Sequence, residues 1–139
     1  MAYSQDFIDA CNHCIEECKK CVDACKEHKS CMEGHHPDEC EASKIKCLSQ
    51  CKECIEACKQ CISMCKEHLK SCTDDNERRK IEKCIEECKK CISACEHCIK
   101  SCEKSCCGDD SSKGIEACDN CINACNSCIQ ACKDCLHTS

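Results

Sequence analysis

The chain has 139 residues, enough for one domain, and 28 of them are cysteine, whereas Tyr3 and Phe7 are its only large aromatic residues. This composition excludes a conventional core of large apolar side chains. The formal net charge is −6, with Lys and Glu mixed along the chain. A nucleic-acid surface is not expected, because it needs a basic face and aromatic side chains for stacking.

Cysteine at this density first suggests a secreted domain held together by disulfide bonds. The start of the sequence, MAYSQDFIDAC, has neither the basic region nor the apolar run of a signal peptide, and we expect no membrane span. Disulfide-rich domains also contain many loops, whereas this chain has three Gly and one Pro. We therefore expect a cytoplasmic protein whose thiols are reduced.

A unit of twelve residues recurs four times along the chain. The copies are CIEECKKCVDAC from Cys14, CIEACKQCISMC from Cys54, CIEECKKCISAC from Cys84 and CINACNSCIQAC from Cys121. The copies start 30 to 40 residues apart. A period of this length can indicate a solenoid, but a solenoid repeat of that size has two helices and this one has one. The four copies therefore predict four equivalent helices in a closed bundle.

The cysteines of each unit are separated by four, three and four residues, the spacing of the inward-facing a and d positions of a heptad, here called the seam. Position e is usually Ile, Leu or Val and position g is often Ala, which favours close packing of neighbouring helices. The seam cysteines, in helix order, are Cys11, Cys14, Cys18, Cys21 and Cys25; Cys47, Cys51, Cys54, Cys58, Cys61, Cys65 and Cys72; Cys84, Cys88, Cys91, Cys95, Cys98 and Cys102; and Cys118, Cys121, Cys125, Cys128, Cys132 and Cys135. Nearly every inward position is thus a thiol.

Helix breakers and capping residues predict the boundaries. Gly34 and Pro37 separate the first two helices, residues 73–76 offer N-caps for the third, and residues 108–112 precede the fourth. The predicted helices are 4–32, 38–72, 75–106 and 112–137. Short connections then predict an all-α, antiparallel up-down-up-down four-helix bundle with a cysteine-lined core, in a single domain over residues 1–139.

A core of thiols indicates metal binding. Two cysteines four residues apart lie on one helix face, with Cβ atoms about 5–6 Å apart, so both sulfurs can approach one ion. Copper(I) is soft and prefers thiolates. Each thiolate loses one proton and gains one monovalent ion, so a filled core stays close to neutral. Single cysteines are often buried as small hydrophobes, but a core built almost wholly of them is not expected from stability alone.

The C-x-x-x-C-x-x-C-x-x-x-C unit on four helices, without an export signal, resembles the bacterial cysteine-rich copper storage proteins, specifically their cytosolic branch. The resemblance covers the chain from Cys11 to Cys135. It implies an interior array of many copper(I) thiolates in a four-helix bundle and assembly into a homo-tetramer. A copper chaperone or a small-molecule copper carrier is a further expected partner. The chain has more cysteines than the family pattern, and these further candidate ligands are Cys31, Cys40, Cys106 and Cys107.

Two other metal chemistries fit the same pattern. Iron–sulfur clusters of the 4Fe–4S type take four thiolates each and could stack in the tube, for storage or for electron transfer. Zinc or cadmium could occupy tetrahedral sites made from two cysteine pairs. An enzyme is not expected, because redox catalysis uses one or two activated cysteines at a helix start near a sheet, and no sheet is predicted.

The two ends of the predicted tube differ. At one end Phe7 and Ile81 occupy seam positions and close the mouth, with His68 on the seam beside them. At the other end His28 takes the seam position after Cys25. We therefore count His28 and His68 among the candidate metal ligands.

The end that carries His28 also has Met32, His35 and His36. Imidazole and thioether bind copper(I) more weakly than thiolate does, which suits groups that pass ions inward. The sequence therefore predicts that metal enters the tube at this end.

Overall fold

The computed structural model describes residues 3–34, 37–104 and 111–137, apart from the side chains of residues 37 and 38. The chain in these ranges forms four long helices, α1 (Gln5–Gly34), α2 (Pro37–Leu69), α3 (Asp75–Lys104) and α4 (Ser111–Leu136). The four predicted helices are confirmed, each described end lying within three residues of its predicted position. The predicted end of the third helix, at 106, lies outside the described residues.

Capping residues explain where the helices begin and end. Ser4 Oγ accepts a hydrogen bond from Phe7 N at 3.1 Å at the start of α1, and Asp74 Oδ1 accepts one from Asn76 N at 2.8 Å at the start of α3. The helix α2 ends at Leu69, three residues before its predicted end, because the last turn tightens to bonds between residues three apart. Arg78 Nη1 then donates to Leu69 O at 3.0 Å, which satisfies a carbonyl of the helix end.

The helices close around a common axis. Each helix packs against the next in sequence, and α4 also packs against α1, which a solenoid of this length would not allow. Neighbours are antiparallel, since Cys11 pairs with Cys61 at one end of α1 and Cys25 pairs with Cys47 at the other. The predicted all-α, up-down-up-down bundle is confirmed.

Cysteine fills the axis, and aliphatic side chains fill the grooves between helices. Buried aliphatic residues at the predicted interhelical positions are Ile15, Val22, Ile55, Ile122 and Ile129. Burial of one such side chain contributes about 1.5–3 kcal/mol to folding, so these grooves stabilise the bundle without any metal. Within the described ranges, no helix is long and apolar enough to cross a membrane.

A few polar contacts tie particular helices together. Glu17 of α1 is 6% exposed, and Gln50 Nε2 of α2 donates to its Oε1 at 2.9 Å and to its carbonyl oxygen at 3.2 Å. Lys29 Nζ of α1 lies 2.7 Å from Asp119 Oδ1 of α4. Four other ion pairs join exposed residues three or four apart in sequence and contribute little to stability.

We expect the metal-free protein to be folded and highly helical, because the thiols and the aliphatic grooves already bury apolar surface. Far-ultraviolet circular dichroism of reduced, chelator-treated protein should show a helical spectrum that barely changes when copper(I) is added. A coil spectrum that becomes helical only with metal would contradict this expectation.

Candidate metal centre

Sulfur atoms from all four helices meet in the central layer of the bundle. Cys54 Sγ lies 3.6 Å from both Cys18 Sγ and Cys91 Sγ, and Cys91 Sγ lies 3.6 Å from Cys125 Sγ. Across the axis, Cys18 and Cys91 are 3.9 Å apart and Cys54 and Cys125 are 4.0 Å apart. The side chains of all four residues are fully buried. One thiol from each helix therefore contributes to a compact group of four.

The same arrangement recurs above and below the central layer. In every layer, each Sγ atom lies 3.5–4.0 Å from at least one other Sγ atom of the same layer. We call these five layers together the thiol column. Its other four layers are Cys11, Cys61, Cys84 and Cys132; Cys14, Cys58, Cys88 and Cys128; Cys21, Cys51, Cys95 and Cys121; and Cys25, Cys47, Cys98 and Cys118.

Groups of four sulfurs also form between layers. Cys21, Cys54, Cys95 and Cys125 have sulfurs that all lie within 4.8 Å of one another, although they come from two adjacent layers. Cys54 and Cys125 thus belong both to this group and to the central layer. Because one thiolate can serve two neighbouring ions, the column offers a continuous set of overlapping sites.

The spacing of the sulfurs suits single ions. A metal–sulfur bond of about 2.3 Å in a tetrahedral site places the sulfurs roughly 3.8 Å apart. The central layer, with separations of 3.6–4.0 Å, already has this spacing without metal. An ion could therefore bind with little rearrangement of the helices.

Burial and neighbouring thiols control the protonation of the column. Hydrogen bonds with neighbouring thiols, of which the one with Cys125 has the largest effect, and burial raise the pKa of Cys18. Hydrogen bonds with neighbouring thiols, chiefly Cys121, and burial likewise raise the pKa of Cys95. Hydrogen bonds with neighbouring thiols, of which the one with Cys125 has the largest effect, lower the pKa of Cys54, although its burial raises it. Among the described residues no Lys or Arg side chain is buried, so no fixed cation balances a column of thiolates. A metal ion that binds must therefore displace protons.

Other candidate cysteines lie at the margins of the column. Cys102 Sγ extends it, at 3.8 Å from both Cys98 Sγ and Cys118 Sγ, and Cys65 is fully buried at the opposite end. At that opposite end, the Cys135 thiol donates to the carbonyl oxygen of Lys80 at 3.2 Å. The Cys72 thiol donates to the carbonyl oxygen of Asp74 at 3.7 Å.

The extra cysteines differ from the seam. Cys31 is a free, partly exposed thiol packed against the core. Cys40 is buried and disulfide-bonded, so it does not offer a free thiolate. Cys106 and Cys107, as well as His35 and His36, lie outside the described residues.

His28 lies at the α1 C-terminal end of the column and is 2% exposed. Its Nδ1 is 2.8 Å from Ser43 Oγ, and its Nε2 is buried without a hydrogen-bond partner. Burial lowers the pKa of His28, so the imidazole is neutral near pH 7. Met32, 1% exposed, lies one turn further along α1. A neutral imidazole thus stands where the next thiol of the seam would be.

The opposite end of the column is covered by bulky side chains. Phe7 and Ile81 are 1% and 0% exposed. The ring of His68 packs against Tyr3 and Phe7, with ring centroids 4.6 and 5.2 Å away, and its Nε2 has no hydrogen-bond partner. His68 therefore belongs to an aromatic cluster rather than to a layer of thiols.

Sequence reasoning missed Ser43. This residue of α2 is 2% exposed and lies three residues after Cys40 and four before Cys47. Its position continues the spacing of the seam, and that spacing could have revealed it as an inward-facing residue.

Buried groups of four cysteines that could hold metal ions thus recur along the bundle. Comparison of the chain with protein family models, curated proteins and solved structures found no match. The assignment of this region as a metal centre therefore rests on the arrangement of its thiols.

Proposed function

We propose that the protein stores copper(I), holding many ions per chain in the thiol column, in a reducing cytoplasm. The observation that carries this proposal is the continuity of the column, in which five layers of buried thiols share sulfurs between overlapping groups. A single catalytic or structural site would need only one such group. Repetition of the same group along the whole axis supports capacity as the role, and not catalysis.

Charge supports copper(I) over zinc. A zinc ion with four thiolates carries a net charge of −2, and the described core has no buried Lys or Arg to balance it. Copper(I) at about one ion per thiolate leaves the core neutral, which avoids the large cost of unpaired buried charge.

The closeness of the sulfurs supports single ions over iron–sulfur clusters. A 4Fe–4S cluster places four irons and four sulfides between its cysteine ligands. The sulfurs of the central layer are already in contact at 3.6–4.0 Å, so the helices would have to separate to admit a cluster. The resemblance to copper storage proteins further implies a homo-tetramer that receives copper from a chaperone or a small carrier.

Metal content and copper(I) titration test the proposal. Protein purified without oxygen should be colourless and take up about twenty copper(I) ions per chain, roughly one per column thiol, in competition with a chromophoric chelator. Zinc added in the same assay should be displaced by copper(I). A brown protein with equal amounts of iron and sulfide, or saturation at one or two copper ions, would overturn copper storage.

Copper uptake should also release protons, because the raised pKa values of thiols such as Cys18 and Cys95 keep them protonated at neutral pH. Release should be at most about one proton per ion at saturation, because thiols with a lowered pKa, such as Cys54, contribute fewer protons. The apparent affinity should fall as the pH is lowered, since protons compete for the same sulfurs. Titration in weakly buffered solution with a pH indicator measures this. Uptake without proton release would mean that the ligands are not these thiols.

A further inference from the structure

We propose that Ser43 fixes the tautomer of His28, so that His28 Nε2 is an unprotonated nitrogen ligand for a copper(I) ion at the end of the thiol column. The inference rests on the proposed function and adds a mixed nitrogen and sulfur site to an array otherwise built from thiolates. It also assigns Ser43 as a positioning residue, which touches the ligand and not the metal.

The hydrogen-bond directions decide the tautomer. Ser43 Oγ donates its single hydroxyl hydrogen to the carbonyl oxygen of Cys40, 3.1 Å away. With its hydrogen used there, Ser43 Oγ can only accept from His28 Nδ1, 2.8 Å away. The hydrogen of the neutral imidazole is therefore on Nδ1, and Nε2 carries a free lone pair.

His28 Nε2 is unsatisfied within the described part of the chain. This atom is buried and has no partner, which is unfavourable unless a ligand satisfies it. Cys25, a member of the last layer of the column, lies three residues earlier on the same helix face. A copper ion bound to Nε2 can thus take a further ligand from this layer.

The arrangement follows a general feature of metal-binding histidines. The nitrogen that does not bind the metal usually donates to a neighbouring acceptor, which fixes the ring orientation and the tautomer. Loss of such an acceptor typically weakens metal binding about 10- to 100-fold. We expect Ser43→Ala to weaken copper(I) binding at this one site by about tenfold while the central layers keep their affinity.

Nitrogen-15 NMR of the histidine side chains tests the tautomer and the ligand separately. The resonances of His28 are identified as those missing from the spectrum of His28→Gln. In the metal-free parent protein they should show a protonated Nδ1 and an unprotonated Nε2. Addition of copper(I) should shift the Nε2 resonance of His28. Ser43→Ala should produce a mixture of tautomers, and Ser43→Thr, which keeps the hydroxyl, should restore the parent pattern.

The surface pair of His97 and Ser101, whose Nε2 and Oγ are 3.4 Å apart, supplies the matched control. Ser101→Ala should leave the resonances of His28 and its copper response unchanged. A proton on His28 Nε2 in the parent protein overturns the role of Ser43. If the column saturates with copper(I) while the Nε2 resonance of His28 does not move, the ligand role of His28 alone is overturned. If the protein takes up no copper, both the storage function and the ligand role are overturned.

Discussion

Replacement of Cys18, Cys54, Cys91 and Cys125 with serine should remove at least about four copper(I) ions per chain, since each thiolate accounts for roughly one ion. The loss should exceed four, because Cys54 and Cys125 also belong to a group shared with the next layer. Serine is close to cysteine in size and its hydroxyl can bond to a carbonyl one turn earlier, so helix content should change little. Copper(I) titration and circular dichroism of the same samples measure both effects.

The control for this variant is Cys31→Ser, which changes a partly exposed thiol outside the column. It should leave capacity within one ion of the parent value. A second variant with alanine at the four central positions separates loss of ligands from the effect of the new hydroxyl groups. Unchanged capacity in both central variants would remove the column from the mechanism.

Loading with copper(I) should raise the melting temperature by tens of degrees. A ligand at a thousand times its dissociation constant stabilises the folded state by about 4 kcal/mol per site. One kcal/mol corresponds to roughly 4 °C for a domain of this size, so a few occupied sites suffice. The unfolded chain keeps its thiols and binds some copper, which reduces the shift but does not cancel it, because the overlapping groups exist only in the folded bundle.

Thermal melting followed by circular dichroism, before and after loading, measures this effect. Removal of copper by a competing chelator under reducing conditions should return the melting temperature to that of the metal-free protein. The central-layer serine variant should show a smaller shift at the same free copper concentration. Equal melting temperatures of the loaded and metal-free forms would contradict binding within the fold.

The sequence was sufficient to predict the helices and the inward face of each, because the separations of four and three residues repeat without interruption from Cys11 to Cys25 and in the other three helices. A thiol at nearly every inward position indicates that the four stripes meet on a common axis. The burial of Phe7 and Ile81 at one end of the column was predicted from the same spacing, since both residues continue the seam.

Contacts between helices could not be predicted in the same way. The pairing of His28 with Ser43 joins residues on two helices whose relative height depends on the whole packing, and so does the buried contact of Glu17 with Gln50. The end of α2 was predicted three residues too late, because its last turn tightens and Arg78 of the following helix donates to the carbonyl oxygens of Leu69 and Cys72. These features depend on tertiary structure and not on local pattern.

The uniformity of the thiol column means that the column cannot by itself determine the register of the helices. A shift of α1 by one heptad would bring Cys18 to the height of Cys11 and would still place sulfur against sulfur. Such a shift would break the contacts of Glu17 with Gln50, of His28 with Ser43 and of Lys29 with Asp119. The few polar contacts at and beside the column therefore help to select one alignment among those that keep sulfur against sulfur.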